Sequence, residues 1–315
     1  MKGFMVENEI YLSIVTPTYN RARLLSGCYA SLCRQPDFDF EWIIVDDGST
    51  DETEETVRGF EQEKFPIIYV KKPNGGKHTA LNAAHGHMRG KYTLILDSDD
   101  RLTDDAAALI KSEWSRWDEE RSVGIVTFLK GGAVNEPNCV VAEWSTPADI
   151  MRCRRKCLRS SDCCEVIRTE LFKKYPFPVF EGERFLAEGA LWNRVSLESR
   201  CVYINRVIYI CEYLEDGLTK SGRAMRIRNP LGGMYNAKLC MNRNNYFASR
   251  VKNALLYVCY GFFAGKTPRE MAEECGSRAL MRACLPFGWA IYIYWKRRYG
   301  EKRELSDETD FDDRS

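Results

Sequence analysis

The first hundred residues alternate short apolar runs with segments of helical periodicity. The apolar runs have the length and the β-branched content of strands, and they occupy residues 11–16, 41–45, 66–70 and 91–96. Residues 21–33 and 79–88 carry apolar side chains at the spacing of an amphipathic helix. Strands that alternate with helices predict an α/β fold around a mostly parallel sheet with right-handed crossovers.

Each predicted strand is followed by a polar loop. The loops read PTYN at 17–20, DDGS at 46–49, NGGK at 74–77 and DSDD at 97–100. Ligands of open α/β sheets bind outside the carboxyl ends of the strands. We therefore expect the polar chemistry of this protein to gather at one edge of the sheet.

The character of the chain changes after residue 215. Residues 251–264 and 283–295 are apolar and aromatic, and residues 304–315 are mostly acidic. We predict a first domain at 1–215, a helical C-terminal extension at 216–303 and a disordered acidic tail at 304–315.

The composition excludes several classes of protein. There are 46 Lys and Arg residues and 45 Asp and Glu residues, so the net charge is +1, which argues against a nucleic-acid partner. The 13 cysteines are scattered and no secretory signal opens the chain, so we expect a reducing, cytoplasmic compartment. The apolar stretches are shorter than the roughly 18 residues of a membrane-spanning helix.

The segment DSDD places three carboxylates, those of Asp97, Asp99 and Asp100, within four residues of a strand end. Such carboxylates repel one another unless a cation or hydrogen bonds offset their charge. Mg²⁺ or Mn²⁺ bridging them to substrate phosphate oxygens is one solution. The alternative is an ordinary turn before a helix, where aspartate is also common.

The segment DDGSTD at 46–51 is a second acidic turn. A carboxylate there could accept a hydrogen bond from the imide N–H of a uracil ring. The alternative is that Ser49 or Asp51 caps the helix that follows.

Together these segments resemble the family 2 glycosyltransferases of the GT-A fold. Four motifs stand in the family's order: SIVTPTYNR at 13–21, IVDDGSTD at 44–51, NGGKHTALN at 74–82 and LDSDD at 96–100. The resemblance covers residues 10–215 and is strongest in the first hundred. It implies a GT-A-type, Rossmann-like mixed sheet flanked by helices, with the glycosyltransferase catalytic domain at 1–215.

The resemblance implies an inverting transfer of a sugar from a nucleotide-sugar donor, most often a UDP-sugar. The acceptor would be a hydroxyl of a glycan or a lipid-linked glycan in polysaccharide or glycolipid assembly. The cofactor would be Mn²⁺ or Mg²⁺, held by Asp99 or Asp100, while Asp97 would contact the ribose.

The resemblance also assigns the nucleotide pocket. Pro17 and Tyr19 would form the floor of the nucleoside pocket. Asp47 would hold the base, and Asp46 would support its loop. Lys77 would lie near the uracil or the diphosphate.

The family usually takes its general base from a Glu-Asp pair at a helix start, about a hundred residues after the metal motif. Here Glu188 is in that neighbourhood, but Gly189 replaces the second acid. Glu188 is therefore the predicted base, with Glu181 and Glu183 in reserve. The alternative is that Glu188 is simply an acid in the first turn of a helix. Residues 213–219 could contribute to the diphosphate or acceptor side.

Two other functions remain open on the sequence. A nucleotidyltransferase would share the α/β core and the metal, although PTYNR lacks the glycines of a triphosphate-binding loop. A non-catalytic nucleotide-sugar-binding module would explain the missing second acid.

The C-terminal half poses two further questions. The segment at 285–295 is aromatic and precedes Lys-Arg-Arg, so residues 283–303 could lie on a membrane surface, with the protein peripheral on the inner face of the cell membrane. The alternative is a helix packed on the catalytic domain. Cys153, Cys157, Cys163 and Cys164 lack the spacing of a zinc site, so we expect no zinc there.

Overall fold

The computed structural model describes residues 10–141, 162–211, 218–243 and 245–299. The described residues form two compact units. One unit lies within Met1–Val179 and Arg194–Leu214, and the other within Phe180–Asn193 and Glu215–Ser315. Residues 180–193, which the sequence analysis places in the first domain, thus pack with the C-terminal helices.

The first unit contains the sheet. Its strands are β1 (Leu12–Thr18), β2 (Phe40–Asp46), β3 (Ile67–Lys71), β4 (Tyr92–Ile95), β5 (Arg101–Leu102), β6 (Val123–Ala133), β7 (Glu136–Pro137), β8 (Cys163–Arg168) and β9 (Arg200–Ile210). Its helices are α1 (Ala22–Cys33), α2 (Thr53–Arg58), α3 (Lys77–Ala83), α4 (Ala106–Ser115) and α5 (Thr169–Lys174), and a single 3₁₀ turn at Ala84–Gly86 follows α3. Helix α6 (Gly189–Val195) begins in the second unit and ends in the first.

The strand order of the sheet is β3-β2-β1-β4-β8-β6-β9-β5, with β7 paired to β6. Strands β3, β2, β1 and β4 are parallel, β8 runs antiparallel to both β4 and β6, and β9 is parallel to β6. This confirms the predicted mixed sheet. The strand order has its switch point at β1, because β2 and β3 are added on one side of β1 and β4 on the other. The crevice at the carboxyl ends of β2, β1 and β4 is therefore the expected ligand site.

The central strands are buried along their whole length. Every residue of β1 and β2 is buried, as is usual when helices cover both faces of a parallel sheet. The largest core side chains include Trp42, Tyr92 and Trp114, and the rings of Tyr92 and Trp114 stack with their centroids 4.1 Å apart. The buried indole N–H of Trp42 donates to Thr16 Oγ1 at 2.8 Å, so its burial leaves no polar atom unpaired.

One charged side chain, Glu41, lies inside this core. Its carboxylate accepts from the Ser13 hydroxyl at 2.7 Å and from the backbone N–H and Nε–H of Arg89 at 2.6 and 2.8 Å. These bonds join β1, β2 and the turn before β4, and they offset the cost of burying the charge.

Two local expectations need correction. The helix expected at 79–88 is α3, which begins at Lys77 and gives way to the 3₁₀ turn at Ala84. Ser49 and Asp51 do not act as the N-cap of α2, because that position is Glu52, whose side chain makes no capping bond. Ser49 instead accepts from the backbone N–H of Asn20, and Asp51 accepts from that of Ala22, at the start of α1, as well as from Thr53.

The second unit is helical. It contains α7 (Leu218–Arg228), α8 (Pro230–Cys240), α9 (Phe247–Phe263), α10 (Pro268–Glu274) and α11 (Arg278–Tyr299). Helices α8 to α11 bury their own apolar cluster, which includes Tyr257, Val258 and Met271. The predicted acidic tail at 304–315 lies outside the described residues. Within the described ranges, no helix has both the length and the apolar character that crossing a membrane requires.

The close contact of Gly90 with β1 generates a stability prediction. A Cβ atom on Gly90 would lie 2.6 Å from the Leu12 carbonyl carbon and would also clash with the Ser13 amide. Overpacking of this kind costs about 1–3 kcal/mol, so Gly90→Ala should lower the thermal unfolding temperature by several degrees.

Gly86→Ala is the matched control, because a Cβ atom there meets nothing within 4 Å. Thermal unfolding followed by circular dichroism should show Gly86→Ala close to wild type. Equal melting temperatures for the two variants would contradict the packing described for β1.

Candidate active site

Asp46 ends β2 and is fully buried. Its Oδ1 accepts from the backbone N–H of Ser49 at 2.7 Å, and its Oδ2 accepts from the Tyr69 hydroxyl at 2.5 Å. Burial and the bond to Asp46 raise the pKa of Tyr69 well above its ordinary value, so the phenol remains a donor. Asp46 thus fixes the turn that presents Asp47.

Asp47 is buried and holds the glycine loop after β3. Its Oδ1 accepts from Lys72 Nζ at 2.5 Å and from the backbone N–H of Gly75 at 3.0 Å, and its Oδ2 accepts from that of Gly76 at 2.6 Å. A carboxylate offers roughly four acceptor sites, two on each oxygen. Asp47 therefore has one site left, on Oδ2.

The loop needs its glycines for physical reasons. Gly76 adopts φ +93°, a conformation that other L-residues rarely adopt. Gly48 adopts φ +86°, and a Cβ atom there would lie 2.9 Å from the Asn74 amide nitrogen. The DDGS and NGGK loops thus approach each other closely at the sheet edge.

Lys72, which the sequence analysis did not single out, joins the same cluster. Besides Asp47, its ammonium donates to the Pro73 carbonyl at 2.5 Å and to Thr79 Oγ1 at 2.8 Å. These bonds tie the end of β3 to the first turn of α3. In the sequence, the position of Lys72 just before the Pro-Asn-Gly-Gly turn is the one feature that could have drawn attention to it. Its contact with Asp47 is visible only in the fold.

The PTYN loop is tied to the DDGS loop through Asn20. The Asn20 backbone N–H donates to Ser49 Oγ at 2.9 Å, and its side-chain oxygen accepts from the Thr50 N–H at 2.8 Å. Asn20 adopts φ +50°, in the left-handed region that asparagine tolerates better than most residues. Pro17 is buried opposite Val45, whereas Tyr19 is 47% exposed.

At the end of β4, Asp97 forms an ion pair with Lys77. Burial alone would raise the pKa of Asp97, but the nearby charges of Lys77 and Lys130 outweigh it and lower the pKa below its ordinary value. Lys77, which the family resemblance places near the uracil or diphosphate, thus contacts the carboxylate assigned to the ribose. The Asp97 backbone N–H donates to the Tyr209 hydroxyl oxygen at 2.9 Å.

Asp100 is buried among like charges. Burial, followed by the negative charges of Asp97 and Asp99, raises the pKa of Asp100 to about 7, although a hydrogen bond from Tyr209 and the charge of Lys130 act in the opposite direction. Lys130 Nζ lies 4.1 Å from the centroid of the Tyr209 ring. Tyr209 and Lys130 lie on β9 and β6, far from the motifs, and no local signal in the sequence identifies them.

These carboxylates fit a hard divalent cation. Among the described residues, Asp99 has no hydrogen-bond or ion-pair partner in the protein, and Asp100 carries charge that its surroundings do not offset. No group of three or more His, Cys, Asp and Glu side chains in the described ranges is arranged to enclose a metal. Mg²⁺ is commonly held by one or two carboxylates plus substrate phosphates, so the donor set suits a cation that a diphosphate completes.

His78 lies on α3, near Asp47 and Lys72. It is buried, and its Nδ1 has no hydrogen-bond partner among the described residues. Burial lowers the pKa of His78, and the charge of Lys72 acts in the same direction while that of Asp47 opposes it. The imidazole is therefore a neutral polar group next to the Asp47 loop.

Glu188 belongs to the second unit, at the start of α6. Its carbonyl oxygen accepts from the backbone N–H groups of Leu191 and Trp192 at 2.9 and 3.4 Å, so it lies where the helix begins. The reserve candidate Glu183 has both carboxylate oxygens engaged, by the Leu231 and Gly232 N–H groups at 2.6 and 2.8 Å. Glu181 is exposed.

The cysteine segment at 153–164 and the segment at 213–219 lie partly outside the described residues. Cys153 and Cys157 lie outside the described residues, whereas Cys163 and Cys164 are buried in β8. Of the segment at 213–219, residues 213–217 also lie outside them.

The profile of Glycosyl transferase family 2 matches residues 13–175, just over half of the chain. The chain belongs to this family. The match includes all four polar loops of the sheet edge.

Similar proteins agree with this membership. Chondroitin synthase of Pasteurella multocida is 39% identical over 103 residues, which cover 33% of this chain and 11% of that protein. This chain therefore corresponds to a small part of that relative.

Solved structures of GT-A-type glycosyltransferases have a similar fold. TarS of Staphylococcus aureus in complex with UDP-GlcNAc superimposes with a TM-score of 0.60 at 19% identity, covering 88% of this chain and 80% of that one. Mannosyltransferase PcManGT of Pyrobaculum calidifontis, in complex with GDP-Man and Mn²⁺, gives 0.53 at 17% identity, covering 92% and 84%. The family 2 chain thus has a GT-A-type fold. Because one of these structures holds a uridine nucleotide and the other a guanosine nucleotide, the structural similarity does not indicate which nucleobase this protein binds.

Asp100 should give the metal-free family 2 protein a pH-dependent stability. Because its pKa rises from 3.8 to about 7 on folding, the folded state holds a proton that the unfolded state releases between these values. This stabilisation is complete below about pH 3.8 and is lost progressively as the pH rises from there to about 7. Asp100→Asn should therefore change the melting temperature little near pH 4 and raise it by several degrees near pH 8.

Differential scanning fluorimetry in EDTA tests this, with Asp104→Asn, an exposed aspartate, as the control. The control should shift the melting temperature equally at the two pH values. An equally pH-independent shift for Asp100→Asn would mean that Asp100 is ionised throughout this range.

Proposed function

We propose that this protein is a cytoplasmic, metal-dependent, inverting glycosyltransferase that uses a UDP-sugar. The observation that supports the proposal is that Asp47 and the Asp97–Asp100 cluster follow β2 and β4, the two strands that flank β1 at the switch point of the sheet, with Lys72 paired to Asp47 and Lys77 paired to Asp97. This edge offers acceptors for a nucleoside and carboxylates for a cation on a diphosphate. The family membership supports the same activity.

The donor's uridine is bound by the three loops of the parallel strands. The exposed ring of Tyr19 provides an aromatic surface for the base, and Pro17 supports it from β1. The remaining acceptor site on Asp47 Oδ2 receives the imide N–H of uracil, while Asp46 keeps the turn in place. Asp97, oriented by Lys77 and Tyr209, accepts from the ribose hydroxyls.

Asp99 is the principal ligand of Mn²⁺ or Mg²⁺, and Asp100 is the second. The absence of protein partners for Asp99 among the described residues supports this order. The bound cation would supply Lewis-acid stabilisation of the negative charge on the departing diphosphate. Lys72 and Lys77 form ion pairs with Asp47 and Asp97, so the carboxylates are in position before the donor binds.

Glu188 is the general base that removes the proton of the acceptor hydroxyl. A base on the face opposite the leaving group gives inversion at the anomeric carbon. The engagement of both Glu183 oxygens with backbone N–H groups leaves Glu183 poorly suited to take a proton. Glu188 must act without a second acid, because Gly189 follows it.

The acceptor is a hydroxyl of a glycan or of a lipid-linked glycan, in polysaccharide or glycolipid assembly. The similarity to chondroitin synthase supports a polysaccharide product. The family membership disfavours a nucleotidyltransferase. A binding module without catalytic activity would release no UDP from a UDP-sugar, whichever acceptor is offered.

Base recognition at Asp47 can be tested with two pyrimidine nucleotides. The N3 position of uracil donates a hydrogen bond, but that of cytosine is an acceptor and would face the Asp47 carboxylate. A hydrogen bond to a charged group contributes about 1.5–3 kcal/mol, so CDP should bind at least roughly tenfold more weakly than UDP. Isothermal titration calorimetry with Mn²⁺ measures both, and equal affinities would contradict the role of Asp47.

The general base can be tested with Glu188→Gln, which keeps the side-chain size and removes the proton acceptor. We expect UDP affinity to stay within about twofold and sugar transfer to fall by roughly 10²–10⁴-fold. UDP release from UDP-sugars, with a panel of glycan acceptors, measures turnover.

Glu181→Gln is the matched control, because Glu181 is an exposed acid of the same segment. It should retain transfer. Wild-type turnover in Glu188→Gln would overturn the assignment of the base.

A further inference from the structure

Helix α11 (Arg278–Tyr299) has one face packed inside the helical unit. Met281, Cys284 and Trp295 belong to the apolar cluster shared with α9, and Gly288 is buried on the same face. The contact is close, since a Cβ atom on Gly288 would lie 2.6 Å from the Val258 side chain. Because this face is packed against α9, the helix cannot rotate about its axis, and the residues on the opposite side are exposed to solvent.

The outward side of α11 carries large aromatic rings. Phe287 is 66% exposed, Trp289 is 51% exposed and Tyr294 is 55% exposed. They lie within two helical turns, about 10 Å along the axis. At about 100° per residue, Phe287 and Tyr294 share one edge of the exposed side and Trp289 lies on the other edge, with the exposed Ala283, Pro286 and Ala290 between them. Single exposed apolar side chains are common, but an apolar strip bordered by three large rings marks an interaction surface.

The same helix is strongly basic. Its sequence contains five cationic residues and no Asp or Glu, and all five side chains are exposed; they are Arg278, Arg282, Lys296, Arg297 and Arg298. None of the five forms an ion pair with any residue in the described ranges. Arg298 instead donates to the Tyr294 hydroxyl at 2.9 Å, which places a cation beside an exposed ring. The aromatic rings are thus flanked by unneutralised positive charge at both ends.

We propose that this outward face of α11, defined by Phe287, Trp289, Tyr294 and the flanking cations, docks on an anionic lipid surface. The helix would lie along the surface, because its opposite face is already buried against α9. Trp and Tyr favour the interface between headgroups and acyl chains, where the ring is apolar and its polar atom remains hydrated. Lys and Arg at the same level attract acidic headgroups.

A lipid surface matches this face better than the other candidate occupants. The acidic residues at 301–315 complement the charge, but that segment offers only Leu305 and Phe311 to cover three rings. A second copy of α11 would bring like charges together. Only an anionic membrane supplies both negative charge and an apolar layer over the whole face.

This inference goes beyond the proposed sugar transfer and does not rest on it. Lipid binding is measured without donor or acceptor, so its failure would leave the transferase assignment intact. Conversely, loss of transfer in an active-site variant would not change lipid binding.

The experiment is sedimentation of the full chain with vesicles of pure phosphatidylcholine or of phosphatidylcholine mixed with phosphatidylglycerol. We expect binding only to the anionic vesicles, weakened by added salt because the cations are exposed. Lys296→Gln/Arg297→Gln/Arg298→Gln should lower the partition coefficient roughly hundredfold or more. Phe287→Ser/Trp289→Ser should lower it by at least roughly tenfold while leaving the melting temperature unchanged.

Leu197→Ser, an exposed apolar residue outside α11, is the matched control and should bind like wild type. Three results would overturn the proposal. One is the absence of binding to anionic vesicles, and another is binding that the α11 variants do not change. The third is self-association in sedimentation velocity that both sets of α11 substitutions abolish, since a second copy would then be the occupant.

Discussion

The repulsion among aspartates at one sheet edge is the constraint on which the rest of the site depends. Asp46 ends β2 and Asp47 follows it, while Asp97, Asp99 and Asp100 follow β4, so parallel pairing through β1 brings five carboxylates to the same side. Their charge is offset by Lys72, Lys77, Lys130, the Tyr69 and Tyr209 hydroxyls and the backbone N–H groups of the NGGK loop. Only the Asp99–Asp100 pair remains without full compensation, which is why a divalent cation suits this point.

The same compensation makes the nucleotide side rigid. Asp47 uses three of its roughly four acceptor sites to hold Lys72, Gly75 and Gly76, so its orientation is set before any ligand arrives. A site that is oriented in advance loses less entropy on binding than one that must be ordered. The loops approach each other so closely that Gly48 and Gly75 leave no room for a Cβ atom, and Gly76 adopts a positive φ.

Much of this could be predicted from the sequence, because the relevant signals are local. Apolar runs followed by polar loops predicted the four parallel strands and the edge at which the polar loops gather, and the family motifs predicted the fold. Tyr209, Lys72 and Lys130 could not be predicted as partners of Asp97, Asp47 and Asp100, since their contacts depend on sheet pairing. Likewise, Glu183 lies close to Glu188 in the sequence, and only the fold shows that both carboxylate oxygens of Glu183 contact the start of α8.

The central claim is that the sheet edge binds a UDP-sugar through Asp47 and a divalent cation through Asp99. A crystal structure of the protein with UDP and Mn²⁺ tests it most directly. The account predicts the uracil N3 within hydrogen-bond distance of Asp47 Oδ2, and Mn²⁺ bound by Asp99 and the diphosphate. Uracil bound away from Asp47, or Mn²⁺ on the diphosphate without any contact to Asp99 or Asp100, would contradict it.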